Sequence, residues 1–140
     1  MFGTQEPATE AAVLAANADF YSAFSARNLE AMIELWAKGG QVTCLHPGSP
    51  PLVGRAVVLE SWRRILSDGP PFVLRCDEPK ANVLGETAIV TCYEAGGDEP
   101  AHLAATNVFV LEEGAWRLVH HHAGPLSAPA PRSRPQSAAN

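Results

Sequence analysis

Apolar positions recur at helical spacing through the first part of the chain. From Ala8 to Ser25 the series Ala12, Ala16, Phe20 and Ala23 with Phe24 falls every three or four residues, and Val13, Leu14 and Tyr21 widen the stripe. This predicts a long amphipathic helix, capped by Thr9 or starting just after Pro7. Asn28 is a suitable N-cap for a second helix, Leu29 to Ala37, with Leu29, Met32, Ile33 and Trp36 on one face and Gly39-Gly40 as its stop. The period then changes to two. Gln41 to Leu45 reads as a short strand, followed by the rigid loop His46-Pro47-Gly48-Ser49-Pro50-Pro51. Val58, Leu59, Trp62, Ile65 and Leu66 return the period to 3.6 and predict a third helix, Arg55 to Ser67, which Asp68-Gly69-Pro70-Pro71 ends.

Beyond Pro71 the pattern is β. Strands are expected at Phe72 to Asp77, at Lys80 to Leu84 and Thr87 to Ala95 around a Gly85-Glu86 turn, and at Ala101 to Glu112 and Ala115 to Ala123 around Glu113-Gly114. Early helices and late antiparallel strands indicate an α+β domain with helices on one face of one sheet. A strongly curved sheet wrapped over three N-terminal helices makes a cone, and the open end of a cone is a pocket. The expected organisation is an unstructured N-terminus over residues 1–7, a domain over 8–125 and a disordered Pro/Ser/Ala-rich tail over 126–140.

Composition narrows the function classes. A net charge of −5 with no run of Lys or Arg argues against nucleic acid and against anionic membrane surfaces. No apolar run reaches the ~18 residues of a membrane span, and the acidic start MFGTQEPATEAA lacks the basic region of a signal peptide. Cys44, Cys76 and Cys92 are widely spaced within apolar strands, which reads as free thiols in a reducing, cytoplasmic compartment. No glycine-rich phosphate loop, paired-carboxylate motif or nucleophile-base ordering is present, so no cofactor is expected.

Several features together resemble the SnoaL-like branch of the nuclear transport factor 2-like (NTF2-like) superfamily. They are the element order, the His46-Pro47 loop after the first strand, Gly54 before a helix carrying Trp62, and Gly114-x-Trp116-Arg117-Leu118-Val119-His120-His121-His122. The resemblance spans about residues 8–125. It implies a cone-shaped, cystatin-like α+β barrel, usually a homodimer paired through the outer face of the sheet. Its members include polyketide cyclases, a ketosteroid isomerase, dehydratases, association domains and many proteins with no known reaction. The isomerase mechanism needs a Tyr and acidic pocket residues. No motif of this chain matches them, so no catalytic assignment is carried over.

The candidate chemistry begins with His120, His121 and His122. Regular strand alternation puts His120 and His122 on the face of Trp116 and Leu118, and His121 with Arg117 and Val119. An imidazole entering the pocket is a candidate acid/base or polar anchor. Histidines left outside would instead serve a sheet-to-sheet interface. His46, at a strand end, is a candidate for the pocket mouth. Tyr21 and Trp62 are candidate wall residues whose polar edges want partners when buried. Tyr93 and Asn107 are polar groups on otherwise apolar strands, and complete the substrate-binding candidates. Arg75 is expected to pair on the outer face with Asp77, Glu94 or a partner chain.

Three functions compete. The first is a pocket protein acting on a small apolar molecule by proton transfer, as an isomerase, cyclase or dehydratase. The second is a non-catalytic dimerisation or association module. The third is a metal site from His120 and His122 with His102 or His46, which lacks an acidic partner.

Overall fold

The computed structural model of the chain describes residues 9–67 and 70–130. The expected unstructured N-terminus, residues Asp68 and Gly69 of the helix stop, and the tail from residue 131 onward lie outside the described residues.

The first helix, α1 (Glu10–Ala26), starts where Thr9 Oγ1 accepts from Ala12 N–H at 3.1 Å, and ends at Arg27, which takes the left-handed conformation. Asn28 caps α2 (Leu29–Leu35) through Ala31 N–H at 3.0 Å. This helix is two residues shorter than its apolar pattern suggests. Trp36 leaves it extended and bridges Leu118, and Ala37 N–H donates to Leu118 O at 2.8 Å, so sheet bonds replace the last helical turn. Two short strands follow, β1 (Thr43–Leu45) and β2 (Leu52–Val53), then α3 (Arg55–Ser67). Four long strands complete the chain: β3 (Leu74–Leu84), β4 (Thr87–Gly96), β5 (Leu103–Glu112) and β6 (Ala115–Pro125).

The six strands form one curved, unclosed mixed sheet in the order β2-β1-β6-β5-β4-β3. The antiparallel expectation fails only at β1, which runs parallel to β6. The turn joining β5 to β6 has positive φ at both Glu113 and Gly114, which matches the right-handed twist of a two-residue hairpin. Two strands expected between Phe72 and Leu84 are one. Pro79 does not divide it because β3 is an edge strand, and the register shifts there between Asp77 and Lys80, with Glu78 at φ 52°. Arg75 pairs with Asp77 at 2.8 Å.

The inner face of the sheet carries Ala88, Val90 and Cys92 from β4, Ala105 and Phe109 from β5, and Trp116, Leu118 and Ala123 from β6, all buried. They pack against Val13, Phe20, Met32, Val58 and Trp62 of the helices. Each large apolar side chain removed from water here contributes roughly 1.5–3 kcal/mol. Residues 126–130, read from composition as the start of the tail, pack back on the sheet. Leu126 N–H donates to His102 O at 2.8 Å, Ala130 N–H to Ala101 O at 2.9 Å, and Ala130 is buried against Ala95 and Ala101. Among the described residues no helix is long and apolar enough to cross a membrane.

Candidate functional site

Between the helices and the open end of the curved sheet lies a cavity of about 300 Å³, at the small end of ligand pockets. Its walls are largely aromatic and aliphatic: Phe20, Phe24, Trp62, Ile65, Phe72 and Leu74. The ring of Phe72 lies where a Cβ on Gly96 would stand, 2.7 Å from that position, so only glycine permits this approach. The ionisable groups in the wall are His46, Glu94, His102 and His121.

The polar floor is built by spacing. On α1, Asn17, Phe20, Tyr21 and Phe24 fall on one helical face and turn toward the sheet. On β4, Cys92 and Glu94 continue the inward series begun by Ala88 and Val90. On β5 and β6, Asn107 and His121 stand directly opposite each other. The four polar groups Asn17, Glu94, Asn107 and His121 are each no more than 4% exposed.

Their hydrogen bonds form one directed network. Asn107 Nδ2 donates to Asn17 Oδ1 at 2.9 Å and to the Tyr21 hydroxyl oxygen at 3.1 Å. Asn107 Oδ1 therefore faces His121 Nδ1, 2.5 Å away, and accepts its N–H. Tyr21 O–H donates to Glu94 Oε2 at 2.6 Å. This leaves the lone pair of His121 Nε2 free, 4.0 Å from Glu94 Oε2. The remaining Asn17 donor reaches Cys76 Sγ at 3.5 Å, and Cys92 Sγ lies 3.2 Å from the Tyr21 hydroxyl.

Burial sets the protonation tendencies. It pushes His121 down to about 3, aided by the charges His46, His120 and His122 would carry. It pushes the Glu94 carboxyl above its ordinary range, against the opposing pull of the Tyr21 O–H. Burial, then the neighbouring Glu94 charge, raises the Tyr21 hydroxyl, so Tyr21 acts as a hydrogen-bond donor and not as an ion. A neutral imidazole whose Nε2 can accept a proton thus faces a carboxyl biased toward holding one.

At the mouth, His46 Nε2–H donates to Ser61 Oγ at 2.9 Å, since Ser61 spends its own proton on Val58 O at 2.6 Å. Burial lowers the His46 pKa. The His46 ring meets Trp62 edge-on at 4.8 Å.

The structure brings Tyr21, His46, Trp62, Asn107 and His121 to this cavity or its floor. It does not bring the other sequence candidates. Tyr93 lies on the outer face, in a shallow depression with Thr91, Thr106 and His122. His120 bonds Thr43 Oγ1 through Nδ1 at 2.6 Å, and His122 is exposed. The expected grouping of the three histidines is reversed by a bulge. Phe109 pairs with Leu118 but Val108 pairs with His120, so Val119 is an extra residue. The inward series runs Trp116, Leu118, His121, Ala123. Among the described residues no three His, Cys, Asp or Glu side chains gather as a metal site would require.

Glu94 and Asn17 were not among the sequence candidates. The signal for Glu94 was its place two residues after Cys92 and four after Val90, on the opposite parity from Tyr93.

A curved, unclosed six-stranded sheet over three helices is an NTF2-like architecture. The chain belongs to the SnoaL-like domain family, whose profile matches residues 13–131. It is similar to a proposed dehydratase of the NTF2-like family from Streptomyces avermitilis, with 35% identity, 84% of this chain and 96% of that chain covered, and a TM-score of 0.76. It is also similar to a proposed calcium/calmodulin-dependent protein kinase type II association domain from Thiobacillus denitrificans, at 38% identity, with 81% and 94% covered and a TM-score of 0.73. A curated relative, the F-box protein SKIP8 of Arabidopsis thaliana, is 29% identical over 115 residues; the match covers 82% of this chain and 50% of the relative's length.

Proposed function

We propose that this chain binds a small apolar molecule and moves a proton on it through the buried Glu94–His121 pair, in which Glu94 is the more basic group and carries the proton. The observation that carries this reading is the Glu94–His121 pair, 4.0 Å apart and both nearly fully buried, on the floor of a largely apolar cavity. The asymmetry of the pair also fits the chemistry: Asn107 fixes the tautomer that exposes Nε2, and Tyr21 fixes the carboxyl. The pair would take a proton from an acidic C–H or O–H of the ligand, held on Glu94, and deliver one to a second atom. Isomerisation, cyclisation and loss of water all reduce to this step. The similarity to a proposed dehydratase supports the same class.

The test is a thermal-stability screen with apolar ketones, phenols and alcohols, followed by deuterium exchange into any compound that stabilises the protein. His121→Gln and Glu94→Gln are expected to slow that exchange by about 10²-fold or more while leaving the fold intact. Stabilisation by none of the compounds, or exchange unchanged in both variants, would remove the proposal.

The likeness to an association domain supports a second reading, a module without chemistry that pairs through the outer face of the sheet as a homodimer. His120, Tyr93 and His122 lie on that face. Light scattering on His120→Ala, beside ligand response in the same variant, separates the readings. The three free cysteines fit a reducing, cytoplasmic compartment.

A further inference from the structure

The amide, phenol and imidazole donors of the cavity floor point at one another. The Tyr21 O–H goes to Glu94, Asn107 Nδ2 to Asn17 and Tyr21, Asn17 Nδ2 to Cys76, and His121 Nδ1–H to Asn107. At the mouth, His46 Nε2–H goes to Ser61. Two atoms are left over. Tyr21 occupies Oε2 of Glu94, and the hydrogen bonds of the described residues leave Glu94 Oε1 and His121 Nε2 without a partner. The side-chain atoms sealed from water without a partner are Trp36 Nε1, Trp62 Nε1 and Arg117 Nε, so neither of these two is sealed. Both residues line the cavity, and their free atoms open onto it.

Charge narrows what can meet them. Glu94 is the acid of the wall, and among the described residues no Lys or Arg lines it. His121, 4.0 Å away, is held neutral by burial and gives the carboxyl no counter-charge. Burial pushes the carboxyl itself above its ordinary range. A carboxylate or phosphate ligand would add a second buried anion. An alcohol or ketone would leave the carboxyl without a cation. An ammonium supplies one, and the rings of Phe20, Phe24, Trp62 and Phe72 hold a cation better than an aliphatic wall does.

Resting on the pocket reading above, we infer that the ligand is an organic amine, whose nitrogen docks as an ammonium on Glu94 Oε1 with His121 Nε2 as its second acceptor, and whose apolar body lies against Phe20, Phe24 and Trp62. An amine that enters as the free base takes the proton that Glu94 carries. The O–H bond breaks, an N–H bond forms on the nitrogen lone pair, and the ammonium stays paired with the carboxylate it has made. An amine that enters already protonated displaces the same proton to solvent. Either way a neutral acid becomes half of an ion pair, and no net charge is buried.

Four probes of one shape separate the terms: tetralin, 2-tetralol, 2-aminotetralin and tetralin-2-carboxylate. Titration of the unmodified protein is expected to give the amine about tenfold tighter than the alcohol or the hydrocarbon, and the carboxylate weakest. In Glu94→Gln the amine should bind no better than the alcohol, while tetralin binds as before. Because that variant alters a buried network, the second readout uses the wild type. With the amine bound, the proton on its nitrogen-bearing carbon should show nuclear Overhauser contacts to the ring of His121. Contacts only to Phe72 and His102, at the exposed rim, would overturn the docking. An amine no tighter than the alcohol, an amine preference that survives in Glu94→Gln, or a carboxylate as tight as the amine would each overturn it too, while binding of the neutral probes leaves the pocket reading in place. Binding of none of the four would remove both.

Discussion

The imidazole of His121 is 3% exposed and bonded to Asn107, whereas that of His122, the next residue, opens to solvent beyond the opposite face of the same strand. Between these extremes His120 is half-buried and bonded to Thr43. Three identical side chains in a row thus meet three different dielectric environments. The difference teaches that residue type supplies the chemistry, but the ladder decides which copy can use it. His121 has a fixed tautomer, a depressed basicity and a carboxyl neighbour, whereas the ring of His122 lies in the open.

The sharpest way to break this contrast is to remove the group that holds His121. Asn107→Ala strips the acceptor from His121 Nδ1 and the donor from Asn17 and Tyr21, all inside the fold. It is expected to cost about 3 kcal/mol of unfolding free energy by denaturant titration.

Acid should probe the same contrast more gently. His121 is held down to about 3 in the fold against 6.5 ordinarily, so below pH 6.5 the unfolded chain takes up a proton that the folded one refuses. Stability from this group therefore falls as pH falls, by about 2 kcal/mol at about pH 5, and is untouched above pH 6.5. His121→Gln should flatten that slope, in unfolding midpoints measured at the two ends of the range. Glu94 has the opposite sign. Its raised value means that the fold loses stability as pH climbs from 4.5, the ordinary value, through the folded one.

Tyr21→Phe deletes the donor to Glu94 and is expected to cost about 1.5 kcal/mol, more where Glu94 is ionised. It should also raise the Glu94 pKa further, which carboxyl infrared bands would register. The smallest effect belongs to the outer face, where His122→Ala should stay within about 0.5 kcal/mol.

Much of this architecture is legible from spacing. Helical stripes of three and four, the caps Thr9 and Asn28, and the Glu113-Gly114 turn specify their elements locally, and the structure has them. The site was legible where a residue's side could be read from its own element, as with Tyr21 and Trp62. It failed where the answer lay in a partner strand. Ile89, Thr91 and Tyr93 look as suited to an interior as Val90 and Cys92 do, so alternation alone does not choose between Tyr93 and Glu94. Pro79 reads as a strand break until its strand proves to be at the sheet edge. The packing of Ala130 depends on a gap beside Ala95 and Ala101 that composition does not reveal.

The extra residue at Val119 has one more consequence. In an uninterrupted ladder continuing from Phe109 and Leu118, His120 would stand across from Asn107; with the irregularity, His121 does. A run of imidazoles therefore insures the cavity floor against slippage: wherever between Leu118 and His121 the strand takes up its slack, Asn107 still meets a histidine. The tract works less as three ligands than as one ligand with a built-in tolerance for misalignment.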